Sequence, residues 1–206
     1  MKTAVALLIL PNIVMDLIQG SRHGKLVPTI QRFAVLVLFG AIGTVVGTRL
    51  LTAISSRTAT LVLGFTVVIF VVLNATRWSP RVSPRAEPWA DVPVGLAAGM
   101  IGGVTNVPGT PLVMYFYALG LRKRDFVRAV AVTFVLFKLA QLGAVAWFGL
   151  LTFRTLELSA LLTLVAVLGF WLGVKIQDRL VQETFNRVVL VCLALLGVWL
   201  IVRAQM

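Results

Sequence analysis

Seven long apolar stretches constrain the fold of this chain more than any other feature. Crossing a bilayer as an α-helix takes about 18–20 predominantly apolar residues. Hydrophobic residues make up 59% of the 206 residues and charged residues 13%, against about 45–50% and about 25% in soluble domains. The sequence therefore predicts an all-α, polytopic membrane protein. The apolar stretches are 3–19, 33–54, 59–76, 92–119, 129–151, 158–174 and 186–203.

One of these stretches, 92–119, contains a run that disfavours helix. Residues 102–111 read Gly-Gly-Val-Thr-Asn-Val-Pro-Gly-Thr-Pro. Proline lacks an amide donor and glycine loosens the backbone, so we expect this run to interrupt the helix. Lipid cannot satisfy freed backbone groups, so broken backbone at membrane depth requires surrounding protein or a water-filled cavity. Discontinuous helices of this kind form the substrate sites of many secondary transporters.

The positive charges indicate how residues 92–119 sit in the membrane. The net charge of +12 comes from 19 Lys and Arg, nearly all between apolar stretches, so membrane topology explains it without a nucleic-acid partner. Leaving aside Lys138, which lies within an apolar stretch, a crossing segment divides the other 18 ten against eight between the two faces, whereas a re-entrant hairpin divides them thirteen against five. Lys and Arg are concentrated on the cytoplasmic face, so the hairpin is favoured. The prediction is about six spanning helices plus one broken, re-entrant hairpin, in the bacterial plasma membrane.

The two halves of the chain resemble each other at a shift of 126 residues. We therefore divide the chain into a first repeat at 1–76, a polar linker rich in Pro and Arg at 77–91, and a second repeat at 92–206. If each repeat consists of three spans plus a hairpin, it crosses the membrane an odd number of times. The second repeat would then have the opposite orientation to the first, which makes the repeats inverted. The counterpart of the broken segment would precede Met1, so we expect it to be missing, through a late annotated start or a deletion. The aligned motifs are Gly43-Thr-Val-Val-Gly47-Thr-Arg49 and Gly169-Phe-Trp-Leu-Gly173-Val-Lys175.

Lys138 is a charged residue near the middle of an apolar stretch. Such a position costs about 2.5–3.5 kcal/mol on insertion scales and marks a functional site by default. Gln141 lies three residues on, on the same helix face, and Asn12 is the repeat counterpart of Lys138. A cation facing an anion pathway is favoured. The alternatives are a buried pair with Asp16 or a cation held by backbone carbonyls.

The broken segment has the features of an anion site. Thr110 followed by Pro111 is typical of a helix start, with threonine as N-cap and proline at the first helical position. The free amides and positive dipole end of such a helix attract anions. A purely structural hairpin is the alternative, and the four-residue spacing of Gly95 and Gly99 with Gly103 favours packing. The candidate binding residues are Gly102, Gly103, Thr105, Asn106, Pro108, Gly109, Thr110, Lys138, Gln141 and Asn12.

The residues offer no basis for an enzyme, a metal site or a cofactor. His23 and Cys192 are single residues of their types, and a metal site requires several such ligands. Mid-span paired carboxylates and a nucleophile next to a base are absent from the sequence.

The second half resembles the sulfite exporter TauE/SafE family. The resemblance implies a multi-pass transporter of small anions such as sulfite or organosulfonates. The chain departs from the family pattern in lacking the first glycine-rich segment and in having fewer glycines in the second. The matching residues are Gly95-Leu-Ala-Ala-Gly-Met-Ile-Gly-Gly, Pro108-Gly-Thr-Pro111, Tyr115, Ala118-Leu-Gly-Leu, Phe126 to Arg128, Lys138 and Gln141.

The sequence thus predicts a membrane transporter that moves a small oxyanion by alternating access around the break. The alternative is a transport-incompetent fragment or an assembly subunit of a membrane complex. The predicted partners are the anion and the lipid bilayer, and small-residue helix faces are compatible with a homo-oligomer.

Overall fold

The computed structural model describes residues 2–21, 26–76, 81–83, 85–177 and 182–205. His23 and parts of the predicted linker lie outside the described residues. Regular structure in the described part is entirely α-helical, as predicted. The helices are α1 (Lys2–Ser21), α2 (Val27–Arg32), α3 (Ala34–Ala53), α4 (Ser56–Ala75), α5 (Glu87–Thr105), α6 (Gly109–Ala118), α7 (Lys123–Trp147), α8 (Phe153–Gln177) and α9 (Gln182–Gln205).

Five of these helices are long and apolar enough to cross a membrane by length and composition. They are α1, α3, α4, α7 and α8. A shorter apolar helix, Leu190–Ala204, lies within α9. The all-α membrane fold with about six spans is therefore supported. The short helix α2 was not predicted, because its six residues carry no apolar period.

Helices α1 and α7 pack antiparallel along a continuous seam. The early part of α1 contributes Ala6, Ile9 and Ile13 to one hydrophobic cluster with Val145, near the end of α7. The last turn of α1 reaches the opposite end of α7, since a Cβ placed on Gly20 would lie 3.5 Å from Cβ of Ala131. The seam therefore joins the two predicted repeats.

Helices α3 and α5 pack in parallel so closely that their backbones touch. A Cβ on Gly99 would lie 2.1 Å from the Gly40 carbonyl oxygen, and one on Gly103 would lie 2.5 Å from that of Thr44. From the other side, a Cβ on Gly47 would lie 2.3 Å from the Met100 carbonyl oxygen. Small residues allow such contacts between apolar helices. The prediction that this glycine stripe serves packing is confirmed.

The glycines of the second repeat behave differently. A Cβ on Gly169 or Gly173 of α8 would meet no atom within 4 Å. The close helix contact that a Gly-xxx-Gly motif permits is therefore not formed at this motif within the described part of the chain.

The chain reverses direction between α5 and α6. The amide of Val82, before α5, donates to the carbonyl of Ala118, at the end of α6, at 2.9 Å. The Tyr115 hydroxyl of α6 likewise donates to Asp91 Oδ1 of α5 at 2.6 Å. Apolar side chains hold α6 in place, because Phe116 is fully buried and its ring contacts Phe33 at a centroid distance of 5.0 Å.

The break is shorter than the sequence suggested. Helix α5 continues through Gly102 and Gly103 to Thr105, and α6 begins at Gly109, with Pro108 as its N-cap residue. The prediction that Thr110 is the N-cap residue of this helix is therefore wrong. Glycine costs only about 1 kcal/mol in a helix, and its close contacts with α3 compensate at this position. Pro111 falls in the first turn of α6, where an amide would lack a helical acceptor anyway.

The ends of α3 and α7 lie side by side. The Arg49 guanidinium of α3 stacks over the Phe148 ring, just after α7, at 5.5 Å from the ring centroid. Near the starts of α8 and α1, the Ser159 hydroxyl donates to the Leu7 carbonyl at 2.7 Å. Helices α3 and α7 are therefore parallel to each other, and so are α1 and α8.

Candidate functional site

The end of α5 is shaped by a left-handed residue. Asn106 has φ 68°, a conformation that asparagine tolerates better than most other residues. Its amide donates to the Gly102 carbonyl at 2.7 Å, which completes the last helical turn. The Thr105 hydroxyl donates to the Ile101 carbonyl at 2.7 Å and accepts from the Val107 amide at 3.1 Å. These bonds fix the direction in which the chain leaves α5.

The Lys138 ammonium of α7 lies at this helix end. The side chain is buried, with the residue 2% exposed. Its Nζ donates to the Asn106 carbonyl oxygen at 2.8 Å, to the Asn106 side-chain Oδ1, and to Gln141 Oε1 at 2.9 Å. An ammonium has three donors, so all of them are used. The negative end of the α5 dipole adds to the attraction.

Gln141 completes the contact between α7 and the end of α5. It is 1% exposed, and its Nε2 donates to the carbonyls of Gly102 at 3.1 Å and Gly103 at 3.3 Å. Gln141 therefore binds two carbonyls of the last turn of α5, and Lys138 binds the carbonyl of the C-cap residue Asn106. The alternative in which carbonyl groups hold the cation describes this geometry, and a direct pair with Asp16 is not formed.

The hydrogen bonds of Lys138 solvate its charge without neutralising it. All three acceptor oxygens belong to neutral groups. Among the described residues, no carboxylate forms an ion pair with this ammonium. Asp16 on α1 interacts with Lys138 only at longer range. The end of α5 is therefore a buried site with one positive charge, and a buried charge is strongly favoured to acquire a counter-ion.

The start of α6, three residues after Asn106, supplies backbone donors. The amides of Gly109 and Thr110 have no acceptor within α6, because the first amides of a helix lack intrahelical partners. No side chain caps this helix start. The Thr110 hydroxyl points elsewhere, to the Thr66 carbonyl of α4 at 3.5 Å. A Cβ on Gly109 would lie 3.5 Å from Cζ of Phe134, an ordinary van der Waals contact, and Val107 is 40% exposed.

The structure brings together most of the predicted site residues, with altered roles for some. Gly102 and Gly103 supply carbonyls to Gln141 rather than space for a ligand. Pro108 fills the space beside Gly102, whose Cβ would lie 2.8 Å from Cβ of Pro108. Asn12 is half-buried on α1 and forms no hydrogen bond within the described part of the chain, so it is not joined to the site.

The sequence reasoning missed two polar contacts around the hairpin. Thr66 accepts from Thr110 through its backbone carbonyl, which no side-chain pattern could signal. Asp91 pairs with Tyr115, and both are buried. The sequence shows that Asp91 precedes the apolar stretch 92–119 and that Tyr115 lies inside it. It does not show that they pair, because their contact depends on the reversal of the chain between α5 and α6.

Fold and site together define a polytopic helical membrane protein with a cationic site at a broken helix. A comparison with protein families agrees, since the family model described as sulfite exporter TauE/SafE matches residues 1–200. The chain belongs to this family, which is one of membrane transporters, and membership implies transport of sulfite-type anions. No curated protein and no solved structure matches the chain.

Proposed function

We propose that this protein moves a small oxyanion, such as sulfite or an organosulfonate, by alternating access around the junction of α5 and α6. One observation carries the proposal. The Lys138 ammonium is buried where one helix ends and another begins, and its acceptors are all neutral. A mobile anion would be the directly bonded counter-ion that such a site lacks.

In the proposed bound state, the oxyanion accepts from the amides of Gly109 and Thr110 and from the Lys138 ammonium. The anion carries a full negative charge, which the neutral Asn106 Oδ1 lacks, so the anion is attracted to the ammonium more strongly and displaces that oxygen. Gln141 remains on the Gly102 and Gly103 carbonyls and keeps α5 in register with α7. A pyramidal or tetrahedral group with several oxygens satisfies donors that converge from two helices.

We also propose that α5 and α6 form a re-entrant hairpin in the membrane. The Val82–Ala118 bond supports this, because the two ends of the segment lie together. The contact of Arg49 with Phe148 supports it independently. A segment that crossed the bilayer would leave the ends of α3 and α7 on opposite faces.

Inverted repeats are the second topological proposal. Adding 126 to the bounds of α1, α3 and α4 gives 128–147, 160–179 and 182–201, close to the bounds of α7, α8 and α9. The packing supports the same equivalence, since α1 with α8 and α7 with α3 are both parallel pairs. The antiparallel α1–α7 seam then lies on the axis that relates the repeats. Rocking about this seam would expose the α5–α6 junction to each side in turn.

The test is anion flux in proteoliposomes containing the purified protein, measured with sulfite and methanesulfonate. Lys138→Gln retains a donor for Asn106 but removes the charge. We expect it to lower flux about 10–100-fold, because a charge-assisted bond contributes about 1.5–3 kcal/mol and each 1.4 kcal/mol is tenfold. Arg154→Gln, which removes an exposed cation, is the matched control and should transport normally. Wild-type flux from correctly folded Lys138→Gln would refute the proposed role of the charge.

A second candidate function is favoured by the surface of α8. Gly169 and Gly173 form an open Gly-xxx-Gly face, which suits a chain that works as a subunit of a larger membrane complex. The same proteoliposomes separate the two candidates. Monodisperse protein that moves neither anion by itself would favour the assembly role.

A further inference from the structure

The seam between α1 and α7 contains one acid and one base. On α1, Asp16 continues the stripe of Ala6, Ile9, Ile13 and Gly20, with spacings of three and four residues that keep all five on one helix face. Ile13 and Gly20, on either side of Asp16, contribute to the α7 contact. Asp16 therefore faces α7.

Lys138 occupies the corresponding stripe of α7. It lies between Ala131, which meets Gly20, and Val145, which meets the early part of α1, at spacings that again keep one face. Measured from the Gly20–Ala131 contact, Asp16 lies roughly 6 Å along the helix axis and Lys138 roughly 10 Å, at 1.5 Å per residue. The two side chains are thus within one helical turn of the same depth.

The directions of the two side chains bring their charges together. Cβ atoms tilt toward the N-terminus of a helix. Because α1 and α7 are antiparallel, Asp16 leans toward the level of Lys138 and Lys138 leans toward the level of Asp16. Their charges interact although no direct ion pair forms. Helix α8 also packs on α1, but within the described residues it brings no charged group that acts on Asp16.

We propose that Asp16 is the proton-binding group that couples anion movement to proton movement, an inference that rests on the proposed function. The ionised carboxylate and the substrate anion compete for the single positive charge of Lys138. With Asp16 ionised and no anion, the seam has no net charge. With the anion bound, it has no net charge only when Asp16 has taken up a proton.

The stoichiometry follows from this charge balance. One proton enters with each monovalent anion, binds Asp16, and leaves to water on the other side when the anion leaves. Transport is then electroneutral, because a net charge at membrane depth is avoided in both the loaded and the empty form. A pH gradient of one unit should therefore support about tenfold accumulation of the anion.

The experiment uses full-length protein in proteoliposomes with methanesulfonate, which stays ionised at every working pH. The wild type should accumulate methanesulfonate about tenfold per pH unit, and this accumulation should not depend on membrane potential. A pH-sensitive dye inside the vesicles should report that one proton enters with each anion. Asp16→Asn should still exchange labelled for unlabelled anion but lose accumulation driven by the pH gradient, and its net flux should become sensitive to potential. Glu157→Gln, which neutralises an exposed acid of α8, should behave as wild type.

Each other result has a definite meaning. Two results for Asp16→Asn overturn the role of Asp16. In the first, the variant still accumulates the anion when driven by the pH gradient; in the second, it loses both exchange and accumulation. Wild-type exchange without accumulation driven by the pH gradient overturns proton coupling and leaves the proposed function standing. Wild-type protein that moves no anion under any condition overturns both.

Discussion

The contact between α3 and α5 provides a sharp test of the packing that holds the broken helix. Gly99 lies at its centre, where an added Cβ would be 2.1 Å from the Gly40 carbonyl oxygen and 2.8 Å from the Thr44 amide nitrogen. Ordinary van der Waals contact begins at 3.4 Å. In Gly99→Ala the helices must therefore separate by about 1.3 Å, the difference between 3.4 and 2.1 Å. Both neighbouring atoms belong to backbone, so no side-chain rotation can relieve the clash.

The expected loss of stability is about 1–3 kcal/mol, the usual cost of inserting a methyl group into a packed contact. Alanine also gains up to about 1 kcal/mol over glycine in a helix, which would mask part of the loss. Gly169→Ala in α8 makes the same substitution where no atom lies within 4 Å. The difference between the two variants removes the helix propensity and isolates the contact between α3 and α5.

Thermal unfolding in detergent, followed by far-UV circular dichroism, measures this difference. In soluble chains of about this length, 1 kcal/mol corresponds to roughly 2–4 °C, so we expect Gly99→Ala to unfold roughly 2–12 °C below Gly169→Ala. Equal midpoints for the two variants would refute the close approach of α5 to α3. A lowered midpoint for Gly169→Ala would show that α8 is covered by another helix in the micelle.

Two further predictions concern the hairpin. Tyr115→Phe removes the hydroxyl that donates to Asp91 and should destabilise the hairpin by about 1–3 kcal/mol; faster hydrogen exchange confined to residues 87–118 would confirm this, and unchanged exchange would contradict it. Asn106→Gly and Asn106→Ala both remove one acceptor from Lys138. Glycine adopts the left-handed backbone without cost, whereas alanine adds about 1–2 kcal/mol of backbone strain. The alanine variant should therefore have the lower unfolding temperature, and the reverse order would argue against the φ of 68°.

Apolar length and helix-breaking residues made the fold largely predictable. Five of the apolar stretches correspond to helices long enough to cross a membrane, and the proline–glycine run contains the interruption between α5 and α6. The limits of the break could not be predicted, because they depend on partners from elsewhere in the chain. Gly103 stays helical where α3 approaches it, and Gln141 binds the carbonyls of both Gly102 and Gly103.

The site was predicted by residue type more reliably than by role. A lysine and a glutamine one turn apart in an apolar helix indicated a buried polar site, and both reach the break. Sequence could not show that the ammonium binds the end of α5, since this requires the position of Asn106 in space. Asn12, predicted as the repeat counterpart of Lys138, illustrates the opposite case, because it forms no hydrogen bond to the site within the described part of the chain.

The neutral acceptors around Lys138 address a problem that a carrier with a buried cation must solve. After the anion leaves, an unsolvated ammonium inside the membrane would be costly, and the empty protein could not easily change conformation. The Asn106 carbonyl and Oδ1 supply replacement ligands from the end of the broken helix. Because these ligands are neutral, an arriving anion can displace them through the direct attraction between opposite full charges. In the proposed cycle, the break therefore serves twice: its α6 side offers amides to the anion, and its α5 side stabilises the cation when the anion is absent.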